Sequence, residues 1–130
     1  MIRPILLDTN VLIWALTDDR RLTRRTRAAI SSPTADVRVS AVSAWEIAIK
    51  HQNGKLIFDV PVEQVLSRIL SSREWQVLPV LPAHVLSLLA LPLQHRDPFD
   101  RLLIAQALAE GMALATADKS IRKYKVPVIG

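Results

Sequence analysis

Four carboxylates, Asp8, Glu46, Asp100 and Asp118, stand 38, 54 and 18 residues apart along the chain. Bringing such groups together is costly, because like charges disfavour one another's ionisation. A hard divalent cation relieves that repulsion, and an all-oxygen donor set suits Mg²⁺ or Mn²⁺ better than zinc. The chain has no cysteine, and His51, His84 and His95 are dispersed, so a zinc centre is not expected. Two such cations about 3.5–4 Å apart would activate water and steady a leaving oxygen without any histidine base. Each acid also has a local reading. Ser43-Ala-Trp-Glu46 matches a capping box. Asp97-Pro98-Phe99-Asp100 reads as an N-cap, a first-turn proline and an acid at the positive helix end. Thr116-Ala-Asp118 can cap the helix that follows, and Asp8 or Asn10 the first helix. Four caps have no reason to face one another, so the fold decides between the readings.

The elements that must position them alternate. Short apolar runs at 5–7, 37–39, 75–78, 112–115 and 126–129 read as strands. Segments 11–16, 22–30, 40–51, 62–72, 83–90, 98–110 and 119–124 read as helices, the clearest being 98–110, between Pro98 and the stop at Gly111. Strands that are continuously apolar and separated by helices predict an α/β fold, a three-layer α/β/α sandwich around a mainly parallel sheet. The last strand contains Pro127 and is confined to an edge. In such sheets, sites form at the carboxyl ends of the strands, where strand order reverses. Asp8 ends the first strand and Asp118 follows the fourth. Glu46 lies early in the helix after the second strand, and Asp100 in the first turn of the helix leading to the fourth. All four are therefore expected on one rim.

One hundred and thirty residues, half of them hydrophobic and 22% charged, fit one ordinary domain spanning 1–130. The longest apolar stretch, 77–93, is broken by Pro79, Pro82, His84 and Pro92 and is no membrane span. The opening MIRPILLDTN reaches Asp8 and Asn10 before a signal-peptide core can form. We expect a soluble, cytoplasmic protein. The net charge of +5 is local: Arg20, Arg21, Arg24, Arg25 and Arg27 fall within eight residues, and without them basic and acidic residues balance. Such a patch suits an anionic partner, nucleic acid first, or is a solvated helix face. Acids that bind a cation, together with an arginine patch, point to phosphodiester hydrolysis.

The phrases LLDTNVLIWAL, VSAVSAWEIAIK, HRDPFDRLLIAQA and LATADKSI resemble, in order and spacing, those of PIN-domain ribonucleases, specifically VapC-type toxins of toxin–antitoxin pairs. The resemblance runs from about residue 5 to the end of the chain. It implies that Asp8, Glu46, Asp100 and Asp118 form the acidic quartet, with Asp8 and Asp100 as metal ligands, Asp118 as a further ligand, and Glu46 as a ligand or an orienter of water. Asn10 and Thr116 fall where the family places supporting polar groups. It further implies Mg²⁺- or Mn²⁺-dependent endonucleolytic cleavage of RNA to leave a 5′-phosphate, a homodimer, and a cognate VapB-type antitoxin that buries the groove beside the acids. Asp97 is assigned to capping and His95 to a surface loop. Arg101 either touches substrate phosphate or pairs with an acid.

The mean hydropathy of +0.23 exceeds what a core of this size needs, so apolar surface is expected at a dimer face and an antitoxin groove. Trp45 is expected in the core, and Trp14 is left open. Two rival readings remain. One is a phosphatase-like α/β domain with Asp8 as nucleophile, against which Asn10 counts, since that pattern places a second aspartate there. The other is a non-catalytic RNA-binding or regulatory module using the arginines alone.

Overall fold

Three consecutive buried aliphatics form β1 (Ile5–Leu7), and Asp8 ends it by capping α1 (Thr9–Thr17), its carboxylate accepting the Val11 N–H at 2.7 Å. The chain is described here by a computed structural model covering residues 3–93 and 97–130; His95, expected in a loop, lies outside the described residues. Asp18 closes α1 in the left-handed conformation, and Thr23 caps the basic α2 (Arg24–Ser31). Then come β2 (Val37–Ser40), α3 (Ala41–Gln52), α4 (Val62–Ser71), β3 (Gln76–Leu78) and α5 (Pro82–Leu88). The most regular element is α6 (Pro98–Glu110), which opens on Asp97 and Pro98 and stops at Gly111, whose φ of 68° suits a residue without Cβ. β4 (Ala113–Ala115), a short 3₁₀ helix (Lys119–Lys123) within the 119–124 segment expected to be helical, and β5 (Val128–Ile129) complete the chain.

The sheet order is β3-β2-β1-β4-β5 and every pair is parallel, as the unbroken apolar strands predict. Pro127 leads into β5, an edge strand, where its carbonyl still accepts the Leu114 N–H. Pleating sends alternate residues to opposite faces. Leu6 and Leu114 join one core with Leu103, Ile104 and Met112 under α5 and α6. Ile5, Leu7, Val37 and Val39 join the other with Val11, Leu12, Val65 and Ile69 under α1, α2 and α4. The result is an α/β/α sandwich. Helix α3 contributes to both cores, Val42 to the first and Ile47 to the second. After β1 the chain builds outward through β2 and β3, then returns to place β4 on the other flank of β1. The order therefore reverses at β1, and the carboxyl ends of β1 and β4 are where such sheets place their sites. Among the described residues no helix is long and apolar enough to cross a membrane.

Candidate active site

Register fixes the centre of the crevice. Leu7 pairs with Ala115, so Asp8 and Thr116 each stand one step past neighbouring strand ends, with the Asp8 N–H bonded to the Ala115 carbonyl at 3.0 Å. The Thr116 side chain hydrogen-bonds the Asp8 carboxylate, and both residues are buried. Burial pushes the Asp8 carboxyl up to about 6; the Thr116 and Val11 hydrogen bonds pull it down, and the charges of Glu46 and Asp118 add to the rise. Those two acids therefore act on Asp8 through space, although 38 and 110 residues separate them from it in the chain.

Glu46 is not the capping-box residue its sequence context allows. Ser40 caps α3, accepting the Val42 N–H at 3.0 Å, which leaves Glu46 one and a half turns inside the helix and buried. Its Oε1 accepts from the Thr9 hydroxyl at 2.5 Å, and that hydroxyl lies 2.9 Å from Ser43 Oγ. Its Oε2 is held by the ammonium of Lys50, one turn further along α3. Burial lowers the Lys50 pKa, but the hydrogen bond to Glu46 and the charges of Glu46, Asp97 and Asp100 outweigh it and leave the ammonium strengthened. Lys50 thus stands among three acids, two of them on the first turn of α6. Asp97 does cap that helix, accepting from Phe99 N and Asp100 N at 2.8 and 3.2 Å. Asp118 caps the 3₁₀ helix, accepting from Ser120 N at 2.9 Å and Ser120 Oγ at 2.7 Å, while its own N–H bonds Thr116 Oγ1 at 3.0 Å.

Two electrostatic groupings result, Asp8 with Glu46 and Asp118, and Lys50 with Glu46, Asp97 and Asp100; Glu46 belongs to both. Among the described residues no three acidic or histidine side chains close up far enough to hold an ion in this arrangement. Both Glu46 oxygens are engaged, one by Thr9 and one by Lys50. In donor chemistry the rim still fits a hard divalent cation: the donors are oxygens, and the buried Asp8 is the group whose ionisation such a charge would favour.

Sequence reasoning passed over Thr9 and Lys50, and read Ser43 only as a cap, the role Ser40 takes. The signal for two of them was helical spacing, since Ser43 and Lys50 lie three residues before and four after Glu46. Asn10 is exposed on the first turn of α1. Trp45 is a correction: it is 56% exposed rather than core, because α3 turns Val42, Ala44 and Ile47 inward and Trp45 away. Trp14 is half-buried beneath Arg21, whose guanidinium lies 5.1 Å from the ring centre. The arginine patch is not on the rim. Helix α1 leaves the carboxyl edge and descends nine residues, about 13 Å, so Arg20, Arg21, Arg24 and Arg25 gather toward the amino-terminal edge. Arg101 is tied to the Pro92 carbonyl at 2.7 Å and braces the α5–α6 connection.

The chain is thus an all-parallel α/β/α sandwich with acids gathered at its switch point. The chain belongs to the PIN domain family, whose model matches residues 5–127. It is 27% identical over 124 residues to "Ribonuclease VapC22" of Mycobacterium tuberculosis, covering 95% of this chain and 93% of that protein. Its fold is similar to that of FitAcB from Neisseria gonorrhoeae, with a TM-score of 0.69 at 22% identity over 97% of this chain and 96% of that one. It is also similar to VapBC2 from Rickettsia felis bound to a promoter DNA fragment, with a TM-score of 0.71 at 14% identity over 98% and 97% of the two chains.

Proposed function

We propose that this chain is a VapC-type toxin of a toxin–antitoxin pair, a single PIN unit that hydrolyses RNA phosphodiester bonds with the help of Mg²⁺ or Mn²⁺. The observation that supports the reading is that the charges of Glu46 and Asp118 act on the buried Asp8, and those of Asp97 and Asp100 on the neighbouring Lys50, around the carboxyl ends of β1 and β4. Asp8 and Asp100 would hold the cation, Asp118 would add an oxygen, and Glu46 would orient the attacking water. Thr116 and Thr9 fix the Asp8 and Glu46 carboxylates in place. The bound cation supplies Lewis acidity and lowers the pKa of water. Lys50 neutralises part of the rim's charge and holds Glu46 Oε2.

The partners follow from the family and the surface. The relatives that crystallised as two-component complexes support a VapB-type antitoxin as partner here. Val85, Leu86, Leu89 and Leu93 leave a run of aliphatic surface along and after α5, with Leu89 85% and Leu93 91% exposed. We assign that face to a second copy of the chain, giving a homodimer. The decisive experiment incubates the purified protein with RNA and Mg²⁺ or Mn²⁺, beside Asp8→Ala and Asp100→Ala. Cleavage leaving 5′-phosphate ends is expected from the wild type and from neither variant, with both variants folded. Full activity in either variant would refute the assignment.

A further inference from the structure

The acidic rim poses a problem for its own substrate, since carboxylates repel a polyanion until cations screen them, and the arginine patch lies toward the other edge of the sheet. RNA held at the rim needs an attraction that does not depend on charge. One is available. Trp45 precedes Glu46 on α3, Phe99 precedes Asp100 on α6, and the two rings meet edge to face with centroids 4.9 Å apart and planes at 72°. Phe99 is packed against the core beneath α5 and α6, and its N–H is fixed by Asp97 at 2.8 Å. The indole is therefore braced on one side, yet Trp45 as a residue is 56% exposed.

We propose that Trp45, braced by Phe99, is a stacking platform for a nucleobase of single-stranded RNA beside the phosphate to be cut. This rests on the ribonuclease reading above and adds to it a binding residue outside the acid set. Every base presents a π-face, and stacking on an aromatic ring is tolerant of sequence and independent of salt to first order. The chemistry of the exposed apolar residues separates this surface from the α5 face. Among the described residues, the other large exposed hydrophobics are leucine, isoleucine and valine, which have no π-system and suit a protein partner. Trp45 is the aromatic among them, and it stands at the rim where the substrate must lie.

The test measures binding of a fluorescein-labelled six-nucleotide single-stranded RNA in EDTA, where cleavage cannot intervene, over a range of salt. Trp45→Ala and Trp45→Leu should each weaken binding about tenfold, with the slope of log Kd against log salt unchanged. Trp45→Phe and Trp45→Tyr should restore most of it. Indole emission should be quenched by the RNA in the wild type and not in Trp45→Phe. Thermal melting and molecular mass are followed in parallel, and Trp45→Leu keeps an apolar contact with Phe99 should alanine unfold the chain. Wild-type affinity in the alanine and leucine variants would overturn the stacking role while leaving cleavage to stand. A changed mass or lost antitoxin binding with unchanged RNA affinity would reassign Trp45 to a protein interface. A wild type that neither binds nor cuts RNA would remove both readings together.

Discussion

Two buried polar clusters lie in this molecule, one on each side of α3's amino-terminal turn, and they are bonded equally well but charged very differently. On the α5–α6 side, Ser40 Oγ donates to Gln106 Oε1 at 2.6 Å, and the Gln106 amide reaches the Pro79 carbonyl and His84 Nδ1, each at 3.3 Å. The Leu81 N–H donates to His84 Nδ1 at 3.0 Å, so that nitrogen is the acceptor, and Nε2–H donates to Glu110 at 2.8 Å. One tautomer satisfies every group, with a single carboxylate at the solvent end. At the crevice, Thr9, Ser43 and Thr116 also have partners, yet the groups they hold are carboxylates: Glu46, paired with Lys50, and Asp8, whose ionisation burial opposes. Hydrogen-bond satisfaction alone does not separate a structural cluster from a functional one. A buried carboxylate whose ionisation its surroundings oppose does, because a bound cation favours that ionisation.

The largest effect that could break this contrast is in the crevice. Asp8→Asn keeps the shape and the cap but removes the charge, and should lower cleavage by about three orders of magnitude. In EDTA the same change should stabilise the protein at neutral pH. The folded state holds the Asp8 proton more tightly than the unfolded chain does, with a pKa of about 6 against 3.8. Stability contributed by Asp8 therefore falls as pH rises through that window and stays low above it, by about 3 kcal/mol in all. Urea unfolding at pH 4 and pH 7.5 reads the difference, which should shrink in Asp8→Asn. An equal pH dependence in both proteins would mean that the crevice is no more frustrated than its neighbour. For the same reason protons compete with the cation at Asp8, and cleavage should fall off below about pH 6 at limiting Mg²⁺ and recover when Mg²⁺ is raised.

The converse applies to the Ser40–Gln106–His84 cluster. Gln106→Met keeps the volume but strips Ser40 and His84 of a partner, and should cost about 1–3 kcal/mol of stability. The Mg²⁺ dependence of cleavage per folded molecule should not move. Loss of cleavage at intact stability would show instead that the two clusters are one device coupled through α3.

The contrast also explains what sequence could reveal. Strand runs such as 5–7 and 113–115 are legible because both faces of a central parallel strand are buried, and α6 because Asp97, Pro98 and Gly111 mark its ends. The rim positions of Asp8, Glu46, Asp100 and Asp118 followed from topology alone. Trp45 was misread because a large aromatic is ordinarily buried, and only the packing of α3 against both cores shows that its face points outward. Lys50 and Thr9 escaped because their roles are defined by Glu46's neighbours in space. The Ser40–Gln106–His84 chain joins residues 66 and 22 positions apart through hydrogen bonds that no local pattern encodes.

The smallest expected effect concerns the arginines, which differ from the rim in being exposed and partly paired. Arg21 is bonded to Asp19 and Arg27 to Asp18, each at 2.8 Å, whereas no ion pair is described for Arg20, Arg24 or Arg25. A cation that already has a partner releases fewer counterions when phosphate arrives, so the three unpaired arginines should carry most of any RNA contact. Replacing them with serine should flatten the salt dependence of binding to a long RNA by about 0.7 per lost contact in a log–log plot. Replacing Arg21 and Arg27 should do less. Because α1 separates the patch from the crevice, a six-nucleotide RNA bound beside Trp45 should be indifferent to either change. If the short RNA loses affinity as steeply as the long one, the RNA path runs down α1, and the separation of the two regions is one of structure and not of binding.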